Sequence, residues 1–130
     1  DCHLKATMDN KELKDVDEGL YSRQLYVYGA EAQRKMQQTN VLLVGLKGLG
    51  VEIAKNIILS GVRSVGILDP ETVKISDLGS QFYLTPTDVG KPRAECAISQ
   101  LKELNKYVNV HHVPVKAGCR LPYLDEEILK

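Results

Sequence analysis

The sequence has no surplus of either charge: 17 Lys plus Arg stand against 17 Asp plus Glu, a formal net charge of zero. A chain without a basic excess has no general electrostatic footprint for DNA, RNA or anionic lipid, so neither nucleic acid nor membrane is an expected partner. Runs of about 18 apolar residues are missing, which excludes a membrane-spanning helix of ordinary length. The opening DCHLKATMDN is too polar for the apolar core of a signal peptide. Cysteine is scarce, and Cys2, Cys96 and Cys119 show no C-x-x-C spacing, which disfavours a disulfide framework or a zinc knuckle and suits reduced thiols. Internal repeats and low-complexity tracts are lacking too. Together these absences predict a soluble, intracellular chain.

What is present suits a folded domain. The chain has 130 residues, 43% of the hydrophobic class and 26% charged, enough for one domain with a core of its own. It opens on Asp1 and stops at Lys130 inside an unfinished apolar pattern, so a fragment of something longer is expected. Residues 1–17 carry few large apolar side chains and read as a flexible leader, since they cannot bury enough surface to offset the entropy of ordering. The domain is expected over 18–130. A short helix is predicted over about Ala30–Gln38, where AEAQRKMQQ is rich in helix formers.

From Val41 the signals sharpen. VLLVG lacks polar alternation and suits a strand buried on both faces of a parallel sheet. A glycine loop follows, Gly45-Leu46-Lys47-Gly48-Leu49-Gly50. It leads into a helical pattern in which Val51, Ala54, Ile57 and Ile58 fall three or four apart, with Gly61 as the stop. Ser64–Leu68 reads as a second buried strand closed by Asp69-Pro70. A second helix is predicted with Ala94, Ala97, Ile98, Leu101 and Leu104 on one face and Pro92 near its start. VNVHHVPV is the expected third parallel strand, ending at Pro114, and the tail from Lys116 is ambiguous. The pattern predicts an α/β fold, Rossmann-like, a three-layer α/β/α arrangement with a mostly parallel and incomplete sheet.

A strand, glycines and a helix N-terminus in this order can hold a phosphate, because free N–H groups and the helix dipole point at the anion. The dinucleotide fingerprint G-x-G-x-x-G needs glycine at its third position, where this chain has Lys47. Asp69 lies nineteen residues beyond Gly50, about where a ribose-binding acid belongs. Two readings stay open at this point. One is a dinucleotide site using Gly45, Gly48, Gly50 and Asp69; the other is a tight turn with Asp69 as a strand-end cap.

The stretch LYSRQLYVYGAEAQRKMQQTNVLLVGLKGLGVEIAKNIILSGV, followed by DPETVKISDLGSQFYL and GKPRAE, resembles the N-terminal, inactive adenylation half of ubiquitin-activating enzymes, in the ThiF/MoeB-like superfamily. The corresponding subunit of the SUMO-activating heterodimer is similar. The resemblance spans about Asp17 to Val113. It implies two related Rossmann-like halves, of which only the active one binds Mg-ATP and adenylates the C-terminus of ubiquitin or a ubiquitin-like modifier. A cysteine in a separate domain then takes the acyl group as a thioester and hands it to a conjugating enzyme. It also implies cytoplasmic and nuclear location.

Residue by residue, the resemblance implies a pseudo-site. Active halves carry a segment S-N-L-N-R-Q-F at the ATP, which here reads Ser76-Asp77-Leu78-Gly79-Ser80-Gln81-Phe82. Ser80 replaces the arginine, and positioned cations of that kind are worth roughly 10³–10⁵ in rate in related phosphoryl chemistry. Asp77 is expected to repel a triphosphate. Asp69 and Glu71 match the paired acids of active halves, and Arg93 keeps a cation where those halves have lysine. The degenerate loop therefore comprises Gly45, Lys47, Gly48, Gly50, Asp69, Ser80 and Arg93, with no catalytic residue, no metal site and no ATP or Mg bound by this chain alone. Arg23, in the Y-S-R-Q segment, is the implied residue that reaches the ATP of the active half in trans. Tyr21, Leu25 and Tyr26 are expected to pack and fix that segment. Gln81, Phe82, Tyr83 and Leu84 read as an apolar patch that is either core or contact with the partner half, with contact favoured because active halves have Q-F at the same place.

Other candidates are structural. His111 and His112 are adjacent on a predicted strand and should point to opposite faces, and Cys96 should sit on a buried helix face as a small hydrophobe. Cys119 has no neighbour in sequence that marks an activated thiol. An NAD- or FAD-binding oxidoreductase fragment and a self-sufficient adenylating enzyme are the alternatives from other classes.

Overall fold

In the computed structural model residues 16–114 are described. The chain divides into two units, Asp1–Thr39 and Asn40–Lys130. In the first, helical segment α1 covers Glu18–Met36. It starts at Asp17, whose carboxylate accepts the Leu20 N–H at 3.0 Å and so caps an otherwise unpaired donor. Asp17 thus belongs to the helix start, although the sequence assigns it to the leader. Glu18 in the first turn and Arg34 and Lys35 in the last complement the helix dipole. Gly29, at φ 81 and ψ 165, interrupts the segment. Its second piece corresponds to the predicted helix near Ala30. The first piece was not anticipated, because Tyr26, Val27 and Tyr28 favour strands by propensity.

The second unit is built on three parallel strands, β1 (Asn40–Val44), β2 (Ser64–Leu68) and β3 (Asn109–His112), in the order β1-β2-β3. Val41 pairs with Val65 and Val65 with Val110, while Leu43 pairs with Ile67 and Ile67 with His112. Val65, Ile67 and Val110 feed the core, with Val41 and Leu43 packed against it. β1 is half-buried with both ends exposed, not buried on both faces as its unbroken apolar run suggests, because it is the outer strand of this sheet. Helix α2 (Gly48–Ser60) joins β1 to β2, and α3 (Arg93–Glu103) precedes β3. The two helices pack against each other and bury Val51, Ala54, Ile58, Ala94, Ala97 and Leu101 in one cluster with the strands. Ile98 and Leu104 pack at its edge, as their spacing predicts. Gly61 ends α2 in the left-handed conformation at φ 82, its N–H reaching the Ile58 carbonyl at 3.1 Å. The buried Asn105 side chain donates to that same carbonyl at 3.0 Å, tying the end of α2 to the turn before β3.

This is the Rossmann-like α/β arrangement that the sequence predicts. His111 is exposed and pairs in register with Gly66, whereas His112 is half-buried beside Ile67, so the two imidazoles lie on opposite faces. Cys96 is half-buried rather than fully buried, and burial raises its thiol pKa, which disfavours the reactive thiolate. Cys2, Cys119 and the ambiguous tail lie outside the described residues. No helix among the described residues is long and apolar enough to cross a membrane.

Candidate functional site

The carboxyl ends of β1 and β2 create the site. β1 ends at Gly45, which takes φ 87 and donates its N–H to the Leu68 carbonyl at 2.8 Å. That left-handed turn swings the chain into α2 within three residues. Gly50 must be glycine here, because a Cβ would run into the carbonyl oxygen of Gly45. Gly48 is constrained from the other side: a Cβ there would lie 2.8 Å from the Cβ of Ser80 and 3.0 Å from its carbonyl oxygen. Each of these three glycines has a steric reason to be present that requires no ligand. Lys47 is the N-cap of α2 and offers the helix no side-chain hydrogen bond. Its ammonium lies 3.2 Å from Glu71 Oε2.

Behind the loop sits Arg93, the first residue of α3 and fully buried. Its guanidinium donates to Asp69 Oδ2 at 2.8 Å, to Glu71 Oε2 at 3.0 Å and to Asp77 Oδ2 at 2.9 and 3.2 Å. Burial works against its charge, but the hydrogen bonds it donates to the three carboxylates outweigh this and raise its pKa above the ordinary arginine value. Glu71 is held below the usual carboxylate range by Arg93 first and Lys47 second. For Asp77 burial opposes ionisation. The Lys74 N–H at 2.9 Å and Arg93 outweigh it, and the net shift is downward.

Asp69 connects this cluster to the loop. Its Oδ2 also accepts the Leu46 N–H at 2.7 Å, and its Oδ1 accepts the Glu71 N–H at 2.9 Å. At the next peptide, the fully buried Gln81 donates from Nε2 to the Leu46 carbonyl at 2.8 Å. Leu46, itself completely buried, is therefore gripped through both backbone groups by side chains from distant segments. The glycine loop is pinned from within.

A cleft of about 420 Å³ opens in front of the loop, with Leu43, Val44, Leu49 and Ile53 on its apolar side and Lys47, Asp69, Glu71 and Arg93 on its polar side. Both of its cations are already paired. Lys47 and Arg93 face Asp69, Glu71 and, behind them, Asp77. The structure therefore brings together Gly45, Lys47, Gly48, Gly50, Asp69, Ser80 and Arg93, but in two roles that differ from the sequence reading. Arg93 borders the cleft but is not a free cation there, because three carboxylates claim it at 1% side-chain exposure. Asp77 does not point a charge at the cleft; it is buried and turned toward Arg93.

Gln81–Leu84 is not one surface patch. Gln81 and Leu84 are buried, Tyr83 packs on the core, and Phe82 alone is largely exposed, its ring 4.5 Å from that of Tyr83. Arg23 belongs to the first unit, on α1, where it is exposed. In that segment Tyr21 is buried and Leu25 half-buried, but Tyr26 is 92% exposed and does not pack as expected. The sequence reading missed the Asp77–Arg93 contact and the Gln81 latch. Neither has a local signature, since the partners are 16 and 35 residues apart. Among the described residues no group of three His, Cys, Asp or Glu side chains is disposed to hold a metal ion.

The ThiF family model matches residues 21–127. The chain is 56% identical over 103 residues to "Ubiquitin-activating enzyme E1 1" of Schizosaccharomyces pombe, covering 79% of this chain and 10% of that protein. It is 59% identical over 96 residues to human "Ubiquitin-like modifier-activating enzyme 1", covering 74% and 9%. It thus spans about a tenth of the length of the curated relatives it matches. Among solved structures, E. coli MccB with ATP superimposes with a TM-score of 0.68 at 21% identity, over 79% of this chain and 33% of that one, a likeness of fold.

Proposed function

Since this chain belongs to the ThiF family, we propose that it is the N-terminal part of the non-catalytic adenylation half of a ubiquitin-activating enzyme, a scaffold for an active half that holds Mg-ATP. Ubiquitin, a downstream conjugating enzyme and the active half are its partners on this reading, and location in cytoplasm and nucleus follows from it. The identity to ubiquitin-activating enzymes over three quarters of the chain supports the assignment.

The observation that carries the non-catalytic part is the saturation of Arg93. A magnesium triphosphate needs cations free to neutralise its oxygens, and the two positive groups of this cleft are already paired with carboxylates. The Leu46 N–H, which a phosphate would otherwise take, is bonded to Asp69. The residues present do not fit that ligand, and no chemical step is assigned to this chain. The same carboxylate argues against an oxidoreductase, because an Asp69 with 1% side-chain exposure is not available to a ribose hydroxyl.

Arg23 is the chain's contribution to the active half on this reading. Arginine suits the task, since its planar and permanently charged fork binds phosphate oxygens in a bidentate way and its exposure on α1 leaves it available. Replacing Arg23 by Ala in the complete enzyme should slow ATP–pyrophosphate exchange by about tenfold or more, while the halves still associate. Unchanged exchange at saturating ATP and ubiquitin would remove Arg23 from the mechanism. Exchange catalysed by this chain alone would remove the non-catalytic assignment.

A further inference from the structure

Between the 3-10 turn Ile75–Gly79 and α3, the chain crosses the surface through Thr85-Pro86-Thr87, three consecutive exposed residues. Thr85 is extended, at φ −116 and ψ 161, and Pro86 opens a second 3-10 turn, Pro86–Asp88. A hydroxyl on an exposed, extended residue followed by proline is the form in which proline-directed protein kinases accept a substrate, since proline has no N–H to satisfy and keeps the preceding residue extended.

The hydroxyl also has a structural task. Thr85 Oγ1 donates to Asp88 Oδ2 at 2.6 Å, the same oxygen accepts the Thr85 N–H at 2.9 Å, and Thr87 Oγ1 lies 2.8 Å from the hydroxyl. The other carboxylate oxygen, Asp88 Oδ1, accepts from Lys91 Nζ at 3.3 Å. The backbone continues the chain of contacts. Lys91 N–H donates to the Asp88 carbonyl at 3.0 Å and Gly90 N–H to the Val73 carbonyl at 2.9 Å. Val73 N–H donates to the Lys91 carbonyl at 2.9 Å, and Arg93 N–H to the Glu71 carbonyl at 3.1 Å. Hydrogen bonds joined by short stretches of backbone therefore connect a surface threonine to the segment that seats Arg93 among its carboxylates.

We propose that Thr85 is a phosphorylation site for a proline-directed protein kinase, and that a phosphate there loosens the paired segments Glu71–Val73 and Gly90–Arg93. In the transfer, Thr85 Oγ1 forms a bond to the γ-phosphorus of ATP as the bond to the β-phosphate oxygen breaks. ADP leaves and the hydroxyl proton passes to the base of the kinase. The product lacks the donor that held Asp88 and sets a group of charge about −1.5 to −2 beside that carboxylate, so the turn loses its cap and Lys91 is drawn from Asp88 to the phosphate. The inference stands on the geometry of this loop and does not require the adenylation reading above.

The test uses the full-length protein with magnesium ATP and a proline-directed serine/threonine kinase, followed by peptide mapping and site-resolved hydrogen exchange. Phosphate is expected on Thr85, absent in Thr85→Ala and restored in Thr85→Ser, which keeps a hydroxyl for both the cap and the transfer. The amides of Val73, Gly90 and Arg93 should exchange about tenfold faster in the phosphorylated protein, with the amides of β2 unaffected. Incorporation at Thr87 or elsewhere with Thr85 unmodified would overturn the site. Phosphate on Thr85 with unchanged exchange at the three amides would overturn the coupling to Arg93.

Discussion

Arg93 is the residue whose removal should be felt most. Deleting one member of a buried ion cluster leaves the others unpaired, and such losses cost about 3–5 kcal/mol. Arg93→Leu should therefore lower the urea midpoint steeply, by about that free energy, with Asp69, Glu71 and Asp77 stranded around an apolar side chain. A change under about 1 kcal/mol in equilibrium unfolding would mean that the carboxylates repack or take up protons at little cost. The same cluster sets an acid limb. Glu71 and Asp77 titrate below their ordinary values of 4.5 and 3.8 in the fold, so they bind protons more readily once unfolded. Their contribution is complete above the unfolded values and is lost as pH falls through the folded ones. Urea midpoints measured at a series of pH values should hold from pH 7 to about 5 and drop below about 4, and Asp77→Asn should flatten that drop. This cluster was only partly legible beforehand. Asp69 and Glu71 stand together at the end of a readable strand, but Asp77 and Arg93 meet through a loop whose path no local pattern specifies.

At the scale of elements, the strand–loop–helix unit was readable because its signals are local. Unbroken Val and Leu mark β1, an apolar three-to-four spacing marks α2, and Gly61 marks its end. Its tightness makes a sharp prediction. Gly50→Ala places a Cβ against the backbone oxygen of Gly45, an atom that cannot rotate away. The start of α2 must then move, and the loss should be at least the 1–3 kcal/mol typical of overpacking, read as a lower thermal midpoint. α1 shows the opposite case. Its first piece begins at a polar cap and contains residues that prefer strands, so pattern reading found only the second piece, beyond Gly29. Asp17→Ala removes the side-chain acceptor of the Leu20 N–H and should cost about 1 kcal/mol of local helix stability, visible as faster amide exchange across the first turn.

For the molecule as a whole, the proposed non-catalytic reading makes the carboxylates around Arg93 stand in place of a bound nucleotide. The thermal midpoint of the chain should be unmoved by millimolar magnesium ATP, since a ligand that does not bind the native state cannot stabilise it. A rise with ATP concentration would show that the cleft opens at less cost than the buried cluster suggests. The sequence alone determined the order of strands and helices in the second unit and the glycine turn, because each is marked by local patterning, and the parallel sheet follows because a crossover joins each strand to the next. Only the tertiary structure decided what becomes of the charges. Whether Arg93 faces a ligand or three carboxylates depends on how segments 16 to 24 residues apart fold back on one another. In a buried site the energy of a charge is set by the few atoms it meets there.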